Sequence, residues 1–184
     1  MSLTKVFVQL PEVYQPIYNH PELSVKDFRD CMSRLDIITN VINEKTKFLN
    51  RKLKILDIGC SQGFFSFNAS NLGHEVLGID YSDKNINFCN QLKKENKNLN
   101  ISFSVLDLKD IDDILTDNKF DLVLGLSVFH HFIHENTNGL KAAKKIVNNI
   151  LDKCGSAIFE FALKEEPLYW SKSQPNNVHD LINK

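Results

Sequence analysis

The sequence predicts an α/β fold, a doubly wound and mainly parallel sheet with helices on both faces. Three observations predict it. From Leu53 onward, short β-branched runs alternate with helical patterns at the spacing of βαβ units. A bend with two glycines, Leu56-Asp57-Ile58-Gly59-Cys60-Ser61-Gln62-Gly63, joins the first such run to the first helical pattern. The 184 residues, 42% hydrophobic and 24% charged, suit one compact domain with a substantial core and leave no room for a second.

The predicted strands are Lys54–Ile58, Glu75–Ile79, Ile101–Leu106, Phe120–Leu126 and Ser156–Ala162. Between them the pattern predicts helices near Phe64–Leu72, Asp83–Asn96 and Gly139–Asp152, the second opened by Ser82 as an N-cap. Right-handed crossovers follow from the parallel order. Ahead of this core, Val25, Phe28, Met32, Leu35, Ile38, Val41 and Ile42 recur near helical period, which predicts one amphipathic helix over Ser24–Leu49. Pro11, Pro16 and Pro21 interrupt the residues before it, so an extended lid crossing the surface is expected there. The division is thus a lid segment and helix over 1–49 and a core over 50–184 within a single domain. A short helix is expected near Asn177–Lys184. Folds of this class usually add an antiparallel strand pair after the fifth strand. Those last two strands are expected to be missing here, through either a shortened chain or another element covering the open edge.

Composition excludes several function classes. A formal charge of -1 and a pI near 6.6 give no global basic field, so nucleic acid is not a favoured partner. Cys31, Cys60, Cys89 and Cys154 are far apart, with no C-x-x-C and no histidine ligand pattern, which predicts reduced thiols and no metal site. No apolar run approaches the ~20 residues that span a bilayer, and no secretion signal opens the chain, so a cytoplasmic protein without a transmembrane segment is expected.

The bend carries the chemistry. It sits where doubly wound sheets hold nucleotide-like ligands. A dinucleotide site uses G-x-G-x-x-G so that backbone amides reach a pyrophosphate. Here the spacing from Gly59 to Gly63 is G-x-x-x-G, and bulky Phe64 and Phe65 follow, which suits an unphosphorylated ligand. Asp80 ends the second strand, where a carboxylate accepts both hydroxyls of an adenosine ribose. Asp107 closes the third strand beside Leu108, in position to read an adenine edge. Asp57 is expected to lie partly inside and to order the glycine bend by accepting its amides. Each residue also has a plainer reading: Gly59 and Gly63 as turn glycines, Asp80 as a helix cap, Asp107 as a turn former. Their combination is what points to a site.

The set Asp57-x-Gly59-x-x-x-Gly63, Asp80, Asp107 and Phe120-Asp121 resembles the class I S-adenosylmethionine-dependent methyltransferases, whose core is Rossmann-like, over about Leu53–Ala162. Outside that core, Leu10-Pro11-Glu12-Val13-Tyr14-Gln15, Asn19-His20-Pro21-Glu22, Arg29 to Asp36, Gly125 to His131 and Lys164 to Trp170 are similar to the methyltransferase domain of the bifunctional kinase-methyltransferases that cap polymannose O-antigen chains. In that family the domain methylates a phosphate that the kinase places on the end of the glycan. The resemblance implies S-adenosyl-L-methionine as cofactor. It implies contacts to the cofactor from Tyr14, Gln15 and Arg34, the last through its carboxylate, with Gly59 beneath the methionine. It further implies Asp80, Tyr81 and Asn85 around the ribose and adenine, Asp107 and Leu108 beside the base, and Leu126 near the sulfonium. No kinase signature occurs in this sequence, so a kinase acting with this domain is expected as a separate partner.

Methyl transfer from a sulfonium is an in-line displacement, so alignment in a dry pocket is the main task. A phosphate oxyanion needs no general base, whereas a hydroxyl does. His130 and His131, leaving the fourth strand beside the reactive methyl, are the candidate catalytic residues, with His134 behind them. Adjacent residues on a regular element cannot both face the crevice. Glu165, Glu166, Tyr169, Trp170 and Lys172 are expected to wall the acceptor pocket, and Lys164, Lys172 and Arg29 are candidate phosphate partners. The expected activity is methylation of an oxygen on a small-molecule or glycan-terminal acceptor. The rivals are a non-catalytic cofactor-binding module of a capping assembly and an RNA terminal-phosphate methyltransferase.

Overall fold

The computed structural model describes residues 2–13, 15–24, 30–117, 119–131, 139–161 and 165. Five parallel strands form one sheet: β1 (Lys54–Ile58), β2 (Glu75–Asp80), β3 (Ile101–Val105), β4 (Leu122–Leu126) and β5 (Ala157–Glu160). Their spatial order is β3-β2-β1-β4-β5, so the direction of winding reverses at β1. Register places Ile58 opposite Ile79 on one side and opposite Gly125 on the other, which brings the carboxyl ends of β2, β1 and β4 level.

Six helices are described: α1 (Leu3–Phe7), α2 (Cys31–Leu49), α3 (Phe64–Asn71), α4 (Asp83–Glu95), α5 (Ile111–Asp117) and α6 (Gly139–Lys153). Alternation along the strands splits the core into two layers. Ile55, Leu122 and Leu124 pack with Ile38 and Ile42 of α2, Phe67 of α3 and Phe88 of α4. On the other face Leu56, Ile58 and Val123 pack with Ile111 and Leu115 of α5 and Ile146 and Ile150 of α6. The doubly wound prediction holds, and the α5 helix is an addition to it. Its short run, Ile111-Asp112-Asp113-Ile114-Leu115, carries too few apolar repeats to stand out as a helix in sequence.

Two expectations about the N-terminal part need correction. The helix does not run from Ser24: that residue is extended (φ -79°, ψ 132°), Asp30 is left-handed (φ 47°), and α2 begins at Cys31. Ser24 closes a turn instead, its Oγ accepting from Ile17 N–H at 2.8 Å and donating to the His20 carbonyl at 3.1 Å. Residues 25–29 of that expected helix lie outside the described residues. The lid is not wholly extended either. All three prolines lie beyond Phe7, so α1 forms ahead of them and buries Leu3 and Val6, while Phe7 meets Phe88 at 6.0 Å between ring centroids. Further on, Tyr18 stacks on Phe67 at 5.3 Å. The lid is therefore packed against α3 and α4 rather than lying loosely over them. The expected helix near Asn177–Lys184 falls outside the described residues.

Candidate functional site

Two backbone features shape the bend between β1 and α3. Gly59 (φ +66°) and Gly63 (φ +78°) are left-handed, a conformation that costs most other residues about 1–2 kcal/mol. A Cβ at Gly59 would also lie 2.5 Å from Val128 Cγ2, so glycine is needed there for packing as well as for conformation. Val128 comes from the turn after β4, and its contact ties that turn to the bend.

Asp80 organises the bend from the β2 side. Its Oδ2 accepts the Ser61 N–H at 2.9 Å, and its Oδ1 accepts the Ser82 N–H at 2.8 Å and Asn85 Nδ2 at 3.4 Å. Asn85 in turn accepts from Gln62 Nε2 at 3.2 Å, and the same amide nitrogen donates to the Glu12 carbonyl at 3.1 Å. Gln15, which is buried, accepts from the Phe64 N–H at 3.4 Å. Lid, bend and the start of α4 are thus one hydrogen-bonded unit, and Gln15, Asp80 and Asn85 all belong to it.

Within this unit, Ser61 Oγ and Gln62 Oε1 are buried and have no hydrogen-bond partner among the described residues. An unsatisfied buried polar atom costs about 1–3 kcal/mol, which makes two of them on one bend a fit for a ligand with hydroxyls and ring nitrogens. The side chains here are neutral or acidic and present mainly acceptors, which suits the hydroxyls of a nucleoside and not the anionic oxygens of a pyrophosphate.

The role expected of Asp57 is filled by Asp80. Asp57 faces α3 and accepts from the Ser66 hydroxyl at 2.5 Å, so it anchors the first turn of α3 and not the glycine bend. The cause is strand alternation: Asp57 and Ile55 share the face that α3 covers, while the bend's amide reaches the neighbouring strand's carboxylate. Complete burial pushes the Asp57 carboxyl from 3.8 up to about 7; the Ser66 hydrogen bonds oppose that shift and the nearby Asp80 charge adds to it. The folded state keeps a proton that the unfolded chain releases, so this group's contribution to stability is full at low pH and lost as pH rises from 3.8 to about 7. Asp57→Asn removes that dependence. Its stability relative to the parent is expected to rise between pH 5 and pH 8, read from urea midpoints at the two values; a constant difference would contradict the raised pKa.

The remaining candidates divide. Tyr81 beside Asp80 is exposed, and Leu126 ends β4 at the crevice. Leu108 is buried, whereas Asp107 is half exposed, caps the turn that follows by accepting the Lys109 N–H at 3.0 Å, and lies 3.8 Å from Lys109 Nζ. His130 is buried and His131 exposed, with ring centroids 4.0 Å apart, so the two neighbours do face different surroundings. Arg34 reaches from α2 to Glu160 at the end of β5, where Nη1 donates to Oε2 at 2.9 Å. Glu165 is exposed, while Tyr14, Arg29, His134, Lys164, Glu166, Tyr169, Trp170 and Lys172 lie outside the described residues.

The sequence reading did not single out Glu160, the last residue of β5, or Ser127, which follows β4; the structure joins them, Ser127 Oγ donating to Glu160 Oε2 at 2.5 Å. Their signal in sequence was only a polar residue at or just after the end of an apolar strand.

A hollow of about 590 Å³ opens at the other end of the sheet, lined by Arg51, Lys54, Lys119, Phe120, Asp121 and Lys153. Its charges are largely internal pairs: Arg51 grips Asp121 at 2.8 and 2.6 Å, and Lys54 lies 3.3 Å from Glu75. The Arg51 guanidinium holds the Asp121 carboxyl below its ordinary value. Asp121 is therefore a structural residue at the amino end of β4, remote from the bend. Among the described residues, no His, Cys, Asp or Glu group is arranged to hold a metal, and no cysteine forms a disulfide.

Fold and bend together define a class, the doubly wound domains whose crevice suits a nucleoside without a pyrophosphate, as in S-adenosylmethionine-dependent methyltransferases. A family profile described as "Methyltransferase domain" matches residues 49–162, and the chain belongs to that family. It is 40% identical over 181 residues to the O-antigen chain terminator bifunctional methyltransferase/kinase WbdD of Escherichia coli, covering 98% of this chain and 25% of that protein. It is 28% identical over 174 residues to a ubiquinone biosynthesis O-methyltransferase of Pelagibacter ubique (strain HTCC1062), covering 91% of this chain and 68% of the relative. A crystal structure of WbdD superposes with a TM-score of 0.89 at 38% identity, covering 99% of this chain and 41% of that one. The chain thus spans about a quarter of the length of its WbdD relatives.

Proposed function

We propose that this domain transfers a methyl group from S-adenosyl-L-methionine to an oxygen on a glycan-terminal acceptor, with a terminal phosphate as the preferred oxygen, in the cytoplasm. The observation that carries the reading is the bend: left-handed Gly59 and Gly63, the Asp80 carboxylate beside them, and two buried polar atoms, Ser61 Oγ and Gln62 Oε1, awaiting partners. The 40% identity to a bifunctional methyltransferase/kinase that terminates O-antigen chains supports the glycan acceptor. Among the described residues no helix is long and apolar enough to cross a membrane, which is compatible with the cytoplasmic placement.

The cofactor supplies an electrophilic methyl on a sulfonium. The protein's part is to hold acceptor oxygen, methyl and sulfur in line and to exclude water; good alignment contributes up to ~7–11 kcal/mol in intramolecular comparisons. Asp80 and Asn85 hold the sugar, and Gln15 with the packed lid closes the bend against solvent. Leu126 and the turn after β4 bring the acceptor side to the methyl. A phosphate oxyanion attacks without losing a proton, so whichever of His130 and His131 faces the crevice serves to position it. A hydroxyl acceptor would make one of them the general base.

The test is methyl transfer from labelled cofactor to a mannoside bearing a terminal phosphate and to the same mannoside without it. Transfer confined to the phosphorylated sugar is expected. Equal transfer to the unphosphorylated sugar would overturn the phosphate assignment. Cofactor binding without transfer to either would favour a non-catalytic module.

A further inference from the structure

The bend is flanked on two sides, by Asp80 from β2 and by a polar cluster from β4 and β5. Glu160 is the last residue of β5 and pairs in register with Leu126 of β4. Its Oε2 accepts two bonds, from Ser127 Oγ at 2.5 Å and from Arg34 Nη1 at 2.9 Å. Ser127 is left-handed (φ 53°), a conformation that is unfavourable for serine and that the neighbouring contacts must hold in place. The next residue, Val128, lies against Gly59, which puts the whole cluster beside the bend. From the other direction Arg34 lies over the Phe65 ring, 5.6 Å from its centroid, and Phe65 is in the first turn after Gly63.

Both bonds fall on the same carboxylate oxygen. Glu160 Oε1 accepts nothing from the described residues, and the side chain is 39% exposed. The result is a fixed guanidinium and a fixed carboxylate side by side at the crevice, 2.9 Å apart. A pair of opposite charges whose carboxylate keeps one accepting oxygen is complementary to a ligand end that carries both charges itself. The ligand proposed above has such an end, the α-ammonium and α-carboxylate of its methionine part. With the sugar on the β2 side at Asp80, the amino-acid end must extend toward β4 and β5.

We propose that Glu160 is a cofactor-binding residue, its Oε1 accepting the α-ammonium while the Arg34 guanidinium faces the α-carboxylate and Ser127 fixes the carboxylate's orientation. This rests on the S-adenosylmethionine reading and deepens it. Glu160 accounts for why an arginine at the cofactor site is held by a carboxylate: an unbalanced guanidinium would repel the ammonium and the sulfonium alike. The charge-assisted bond also distinguishes the intact amino acid from analogues that lack the amino group.

The experiment is calorimetric titration of the full chain with S-adenosylhomocysteine and with its analogue lacking the α-amino group, for the parent and for Glu160→Gln. Removing the amino group is expected to weaken binding to the parent about 10- to 100-fold. Glu160→Gln, which is isosteric and keeps acceptors for Ser127 and Arg34, is expected to lose a similar factor for S-adenosylhomocysteine and to be nearly indifferent to the amino group. Equal sensitivity to the amino group in parent and variant would overturn the assignment while leaving the cofactor reading intact. Failure of the parent to bind S-adenosylhomocysteine at millimolar concentration would remove the cofactor reading, and this inference with it. Should Glu160→Gln not fold, Glu160→Asp, which keeps the charge but withdraws it by one methylene, must show a reduced preference for the amino group; an undiminished preference would overturn the proposal.

Discussion

Asp80→Asn is expected to weaken S-adenosylmethionine binding by ~100-fold or more, since hydrogen bonds to a charged acceptor contribute about 1.5–3 kcal/mol each and two ribose hydroxyls lose theirs. The loss has a second source inside the protein. Both Asp80 oxygens already accept N–H groups, Ser61 on one and Ser82 on the other. An amide in its place offers one acceptor oxygen, and its NH₂ would meet whichever N–H remains, donor against donor. The bend would therefore lose its tie to β2 in addition to its carboxylate. Removing this charge also relieves Asp57, whose raised pKa it helps to sustain. Calorimetry with the cofactor checks the first effect. Binding equal to the parent's would mean that Asp80 is a helix and loop anchor alone.

Gly59→Ala carries the largest expected cost in stability. The substituted residue would hold φ +66° at about 1–2 kcal/mol, and its Cβ would stand 2.5 Å from Val128 Cγ2, an overpacking that typically costs about 1–3 kcal/mol more. A combined loss of about 2–5 kcal/mol corresponds to a fall on the order of 10 °C in Tm for a chain of this size. Pairing it with Val128→Ala separates the two contributions. The double variant is expected to recover the steric share and keep the conformational one. If Val128→Ala restored nothing, the close contact between the bend and the turn after β4 would be ruled out as the cause.

The layered fold was legible because its signals are local. Ile55, Leu56 and Ile58 are fully apolar and β-branched or leucine, and the Gly59–Gly63 spacing follows at once, so strand, bend and helix announce one another. The place of Asp80 beside the bend was legible for the same reason: it is a carboxylate ending an apolar strand. What sequence could not supply was partner choice across distance. Asp57 and Asp80 are both acidic strand residues, and only the packing of α3 over one face decides that Asp57 meets Ser66 while Asp80 meets Ser61. Arg34 and Glu160 are 126 positions apart, and their meeting depends on α2 lying over the carboxyl edge of the sheet. The start of α2 was misplaced because Asp30 breaks the helix by adopting a left-handed conformation, which composition does not reveal.

The most direct measurement is a crystal structure of the chain with S-adenosylhomocysteine. The expected result places both ribose hydroxyls within hydrogen-bonding distance of the Asp80 carboxylate and ligand atoms against Ser61 Oγ and Gln62 Oε1. A sugar bound anywhere else, or a ligand lying outside the bend, would contradict the assignment of this crevice as the cofactor site.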